Sequence, residues 1–155
     1  VAPLAGVLAG RIGSRPVVLA GMAAQAIALA WIGQRAAPTA PYTDLLPAFI
    51  LGGLGMGLSF APLSAAVMSA ITGSRQGQAS GVYNTIRELG GVFGVAVLGA
   101  IFQHIATTPA EFMPGFRAAV FAGAGILAIS VVIAALLPGR VPVPFASPEE
   151  VAQVA

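Results

Sequence analysis

Four apolar runs, at about 16–33, 45–71, 82–106 and 118–137, leave this chain little choice of fold, because each is close to or beyond the roughly 20 residues an α-helix needs to cross a bilayer. Lipid offers no partner to a backbone N–H or C=O, so spans of this length close their hydrogen bonds within helices. A membrane barrel would instead show segments of about ten residues with alternating polarity, and these runs are longer and do not alternate. Composition agrees: 57% of residues are hydrophobic and 8% are charged, whereas soluble domains carry about a quarter charged residues. The expected fold is an all-α membrane protein, a polytopic transmembrane helix bundle.

The breaks between runs fix its organisation. Pro16 suits a helix N-terminus, Trp31 suits the far interface, and Gln34, Arg35 and the prolines at 38 and 41 end the first span. The second span exceeds the hydrocarbon thickness and holds Pro62, so it should tilt or kink. Residues 72–80, with Gly73, Arg75, Gly77 and Gln78, read as a loop, and the third helix should begin near Ala79. A second turn is expected over 107–115, with Pro109 and Pro114, before the last and most uniformly apolar span. Residues 1–9 read as the end of a preceding helix, and 138–155 as a Pro-rich, weakly acidic tail. The chain starts without Met, inside an apolar run and without a signal-peptide pattern, so it is expected to be part of a longer parent.

Charge here means topology. Placing Arg11, Arg15, Arg75 and Arg140 on the cytoplasmic side leaves Arg35 and Arg117 outside, which satisfies the positive-inside bias and makes the C-terminus cytoplasmic. The seven basic residues form no stripe that would read as a nucleic-acid footprint. Cysteine is absent and His104, near the outer interface, is the sole histidine, so thiol chemistry and a His- or Cys-based metal site are not expected. No nucleophile, base and orienting group form a set, and neither an enzyme nor a cofactor is implied.

The polar residues within spans are the candidate functional residues. Gln25 lies mid-span, where an amide must face protein or cavity; an interhelical hydrogen bond and a substrate contact are both open. Gly52, Gly53, Gly55 and Gly57 lack the strand and lysine of a phosphate loop and suit close helix packing. Met56 and Phe60 offer polarizable and aromatic surface either to a central cavity or to packing. In the third span, Asn84, Arg87, Gly91 and Gly94 recur at three and four residues and share a face, with Glu88 one turn after Asn84. Arg87 and Glu88 either snorkel to the cytoplasmic boundary or line a substrate or proton path.

Two motifs carry a resemblance. Residues 1–15, VAPLAGVLAGRIGSR, resemble the signature loop of the major facilitator superfamily, G-x-x-x-D-R-x-G-R-[RK], through Gly6, Arg11, Gly13 and, one residue late, Arg15. Gly10 stands in the place of that motif's aspartate. The loop therefore lacks the acid that, in the family, caps a helix end and pairs across the two halves to hold one access state. The run Gln76-Gly77-Gln78-Ala79-Ser80-Gly81, followed by Asn84, Arg87, Gly90, Gly91 and Gly94, resembles the penultimate helix of 14-spanning drug:proton antiporters of the EmrB/QacA type. With the Gly52 to Pro62 helix, the resemblance covers about 1–137 and implies part of the C-terminal half of a major facilitator fold.

The resemblance implies a fragment of a secondary active transporter, a proton-coupled multidrug or metabolite efflux antiporter that rocks two helical halves around a midplane site. Its partners would be the lipid bilayer, the remaining N-terminal helices of the parent, a small lipophilic substrate and protons, in a bacterial plasma (inner) membrane. Glu88 is the one acid within or beside a span apart from interfacial Asp44. The rival reading is a non-transporting membrane scaffold or truncated regulatory subunit built of the same helices.

Overall fold

The computed structural model describes residues 13–69 and 76–136, and in them the chain forms four long helices. They are α1 (Ser14–Arg35), α2 (Tyr42–Ser69), α3 (Gln76–Ile105) and α4 (Phe112–Leu136), with a single 3-10 turn at Pro109–Glu111 before α4. No strand occurs among the described residues. All four helices are long and apolar enough to cross a membrane. Residues 1–9, the signature-loop residues Gly6 and Arg11, and the tail at 138–155 lie outside the described residues.

Two helices begin before their expected starts, and in each the boundary signal has a local explanation. Gln76 to Gly81 is already helical, so the polar residues at 76–80 form the first turns of α3 and not a loop. The last helix begins at Phe112, six residues before the expected start, and encloses Pro114. A proline in the first turn costs little because the N–H it lacks has no intrahelical partner there. Glu111 closes that helix entry: its carboxylate accepts hydrogen bonds from the Thr108 N–H (3.0 Å), the Thr107 N–H (3.1 Å) and the Thr107 hydroxyl.

Helix α1 is the centre of the bundle, packed on one side against α2 and on the other against α4. The α1–α2 contact is backbone to backbone. A Cβ built on Gly21 would lie 2.7 Å from the Gly55 carbonyl and 2.9 Å from the Ser59 nitrogen, and one on Gly55 would lie 2.6 Å from the Gly21 carbonyl. Only glycine at both positions allows this approach, the small-residue packing that joins helices in lipid. Among the described residues the buried hydrophobic ones are correspondingly small, namely Val17, Ala28, Ala36, Ala48 and Ala124. Large apolar side chains such as Phe93, Val95, Ile129 and Leu136 point outward, as expected where lipid or further protein replaces water.

Helix α3 is held differently. Its C-terminal half packs on α4, where the Phe102 and Phe112 rings meet edge to face at 5.3 Å. A Cβ on Gly123 of α4 would meet Leu98 of α3 at 3.5 Å. Its N-terminal half touches α2 at fewer points, and no described residue of α3 is buried.

Candidate functional site

The residues singled out in the sequence fall on two sides of α2. Gln25 faces the α1–α2 contact, where its amide donates to the Ser59 hydroxyl (3.3 Å), which in turn donates to the Gly55 carbonyl (2.9 Å). This chain of bonds ties a mid-span amide to the glycine crossing. Gln25 thus makes an interhelical hydrogen bond at the α1–α2 contact. Phe60 follows Ser59 directly, about 100° further round the helix, and turns toward α3.

At that α2–α3 junction the guanidinium carbon of Arg87 lies 5.1 Å from the centroid of the Phe60 ring, within the range of a cation–π contact. An Arg87 Nη also donates to Glu88 Oε1 at 2.8 Å. One turn earlier, the Tyr83 and Ser64 hydroxyls are hydrogen-bonded at 3.3 Å and fasten the two helices at this level. Met56, one turn before Phe60 on α2, is 59% exposed, and Asn84 on α3 is also exposed. Phe60, Arg87 and Glu88 thus form one cluster with Met56 and Asn84 on the adjoining turns, while Gln25 lies apart. Among the described residues, no group of three His, Cys, Asp or Glu side chains is placed to hold a metal ion.

Of the signature loop, Gly13 and Arg15 are described. Gly13 caps the start of α1 with φ of 90°, a left-handed conformation that glycine adopts without strain. Arg15 reaches the far end of α4 and donates to the carbonyls of Ala134 (3.2 Å) and Ala135 (2.8 Å). At the opposite end of the same antiparallel pair, Arg117 of α4 donates through Nε (3.0 Å) and Nη (2.6 Å) to the carbonyl of Ala36, the residue that caps α1. Each arginine thus satisfies carbonyls left open at the C-terminal end of the other helix, where positive charge also complements the helix dipole.

Neither this reciprocal clamp nor the Tyr83–Ser64 bond is legible in the sequence, where Arg15 and Arg117 read as loop charges. A signal was present for Arg15. A cation at the second position of a helix opposes the local dipole and calls for a distant acceptor.

Comparison with known proteins bears on what this bundle is. The family model described as Major Facilitator Superfamily matches residues 1–153. The multidrug resistance protein Stp of Mycobacterium tuberculosis is 34% identical over 101 residues, covering 65% of this chain and 18% of that protein. The puromycin resistance protein pur8 of Streptomyces alboniger is 32% identical over 112 residues, 64% of this chain and 22% of its own length. The cephamycin export protein CmcT of Amycolatopsis lactamdurans is 30% identical over 121 residues, 77% of this chain and 25% of that protein. The chain therefore spans between 18% and 25% of the length of these relatives. No solved structure matches it. The all-helical bundle, the glycine crossing between its helices and the match along nearly the whole sequence agree, and the chain belongs to the major facilitator superfamily.

Proposed function

We propose that the chain is the C-terminal part of a drug or metabolite exporter that exchanges a lipophilic substrate for protons by alternating access. Residues 1–137 would be its transmembrane region and 138–155 its cytoplasmic tail. The observation that carries this reading is the Arg87–Glu88 pair set within a span and turned to the Phe60 ring of a neighbouring helix. The pair lies in the first third of the Ser80–Ile105 span, and ionisable residues within a span are costly unless they meet water, a partner or a pathway. Relatives named for multidrug resistance, puromycin resistance and cephamycin export support efflux.

The test is the pH profile of efflux from the full-length transporter that carries this chain. Glu88→Gln removes a titratable group with little change of shape. It should lower efflux and flatten its pH dependence while expression stays normal. An unchanged profile would take Glu88 out of the pathway and leave the pair as one that snorkels to the boundary.

The same reading sets a topology, with the plasma membrane spanned several times and Arg11, Arg75 and Arg140 in the cytoplasm. The chain has no native cysteine, so single cysteines can be labelled without background. An impermeant maleimide added to intact cells should modify Ala37→Cys and Glu111→Cys and spare Arg75→Cys and Arg140→Cys. The reverse pattern would overturn this orientation.

A further inference from the structure

The described helices are joined in two different ways. Three of the joints engage backbone. Helices α1 and α2 cross at Gly21 and Gly55, where a Cβ on either glycine would lie 2.7 or 2.6 Å from the other's carbonyl. Helices α1 and α4 are pinned at both ends by Arg15 and Arg117 on backbone carbonyls, and between them the Phe121 ring of α4 lies 3.1 Å from where a Cβ on Gly33 would stand. The end of α3 meets α4 at Gly115, where a Cβ would lie 3.1 Å from the Phe102 carbonyl. The joint between α2 and the first half of α3 is made by the ends of side chains, the Tyr83 and Ser64 hydroxyls at 3.3 Å and the Arg87 guanidinium 5.1 Å from the Phe60 centroid.

We infer that the first half of α3 is an arm latched to α2 by the Tyr83–Ser64 bond and pivoting at Gly90–Gly91, while α1, α2, α4 and the last turns of α3 move as one body. The pivot lies between the two attachments, after Tyr83 and Arg87 and before Leu98 and Phe102. Adjacent glycines are where long helices kink, because glycine is the least helix-favouring residue after proline. Helix α3 runs unbroken through Gly90 and Gly91 here, so the structure is the latched form. The kind of atom at each joint is unchanged when further helices surround the bundle: a hydroxyl pair can part by rotation of two side chains, whereas a glycine crossing parts only by moving whole helices.

Lever arithmetic separates the latch from the tether. At 1.5 Å per residue Arg87 lies about 4.5 Å from the pivot, Tyr83 about 10 Å and Gln76 about 21 Å. A kink of about 20° therefore carries them by about 1.5, 3.5 and 7 Å. The shift at Tyr83 breaks a hydroxyl bond of 3.3 Å. The shift at Arg87 is small enough for its long side chain to follow, so the guanidinium stays over Phe60 and keeps the open arm in reach of α2. Arg87 and Glu88 then keep their depth while the N-terminal end of α3 swings.

The experiment measures distances between paired spin labels in the full-length protein that carries this chain, freed of other cysteines and held in nanodiscs. Gln78→Cys with Leu136→Cys reports the arm against α4, and Ala20→Cys with Leu136→Cys reports α1 against α4. Combining Tyr83→Phe with Ser64→Ala should add a second arm population displaced by several Å, about 6 Å at most for a 20° kink. Gly90→Ala with Gly91→Ala, added to that variant, should return the arm to one distance. The α1–α4 distance should be the same in all of them. An arm distance unchanged when the hydroxyl pair is removed would overturn the inference, and this arm of the test stands even where the alanine variant does not fold. Both distances shifting together would overturn it too, since α1 and α4 would not be the fixed part. Loss of thermal stability in the alanine variant with the displaced population still present would assign Gly90 and Gly91 to packing against a helix of the longer protein and overturn the pivot.

Discussion

Gly21→Leu and Gly55→Leu should each destabilise the chain in detergent micelles by about 3 kcal/mol or more, above the usual 1–3 kcal/mol for overpacking. The expectation follows from what a side chain would meet. At Gly21 the nearest atoms are the Ser59 hydroxyl, the Gly55 carbonyl at 2.7 Å and the Ser59 nitrogen at 2.9 Å. At Gly55 they are the Gly21 carbonyl at 2.6 Å, Gln25 Cγ at 2.9 Å and the Gln25 nitrogen at 3.0 Å. Most of these atoms are backbone, which cannot rotate away, so α1 and α2 must separate along the crossing. Separation also breaks the Gln25–Ser59 bond and leaves both groups to find partners in an apolar setting, a further loss of about 0.6 kcal/mol by measured interhelical bonds. The control is Gly94→Leu in α3, where a Cβ meets no heavy atom within 4 Å. Thermal unfolding followed by circular dichroism should show large losses for the first two variants and little for the third. Equal losses for all three would mean that the glycine crossing is not what joins α1 to α2.

The contrast among these glycines shows how much of the fold the sequence carries. Apolar run length fixes the number and type of the elements, because a span of about 20 residues in lipid has only the helix open to it. The ends are less legible. Residues 76–80 combine glycine, serine and glutamine and read as loop chemistry, yet α3 begins at Gln76. Propensity is a weak local preference, and a long helix that is favoured overall can run through such a stretch. Pro114 misleads in a similar way, since proline breaks a helix interior but not its first turn.

The site shows the same division. Spacing along α3 places Asn84, Arg87 and Glu88 within one turn of each other, but nothing in the sequence says that Phe60 lies opposite Arg87. That apposition depends on the relative rotation of two helices, which the Tyr83–Ser64 bond and the packing of α4 set from other parts of the chain. Gln25 illustrates the reverse case. Its mid-span position marks it as needing a partner, and the partner, Ser59, is an unremarked residue whose hydroxyl happens to sit on the glycine face of α2. A sequence reading finds groups that must be satisfied and does not find the groups that satisfy them.

Arg117→Ala should cost about 3 kcal/mol of stability, whereas Arg35→Ala, at the same end of the bundle, should cost less than about 1 kcal/mol. Both arginines make a contact, and the difference lies in what each contact replaces. Arg35 meets Asp44 at 3.7 Å with side chains 60% and 42% exposed, a surface ion pair of the kind worth about 0–1 kcal/mol. Arg117 instead supplies two donors to one carbonyl of Ala36, a residue only 5% exposed, at the end of α1. Removing it leaves a backbone acceptor unsatisfied, at about 1–3 kcal/mol, and removes a cation from a helix C-terminus, where a favourable partly buried geometry is worth up to about 2 kcal/mol. Arg117→Lys keeps the charge and loses the two-pronged geometry, so it should fall between the other two variants. Thermal unfolding in detergent gives the order, and hydrogen exchange at residues 36–41 locates the effect, since faster exchange there is expected for Arg117→Ala and not for Arg35→Ala. Similar losses for the two alanine variants, with exchange unchanged in the α1–α2 connection, would mean that α1 and α4 are joined by their apolar faces alone and that the arginine at this end is incidental.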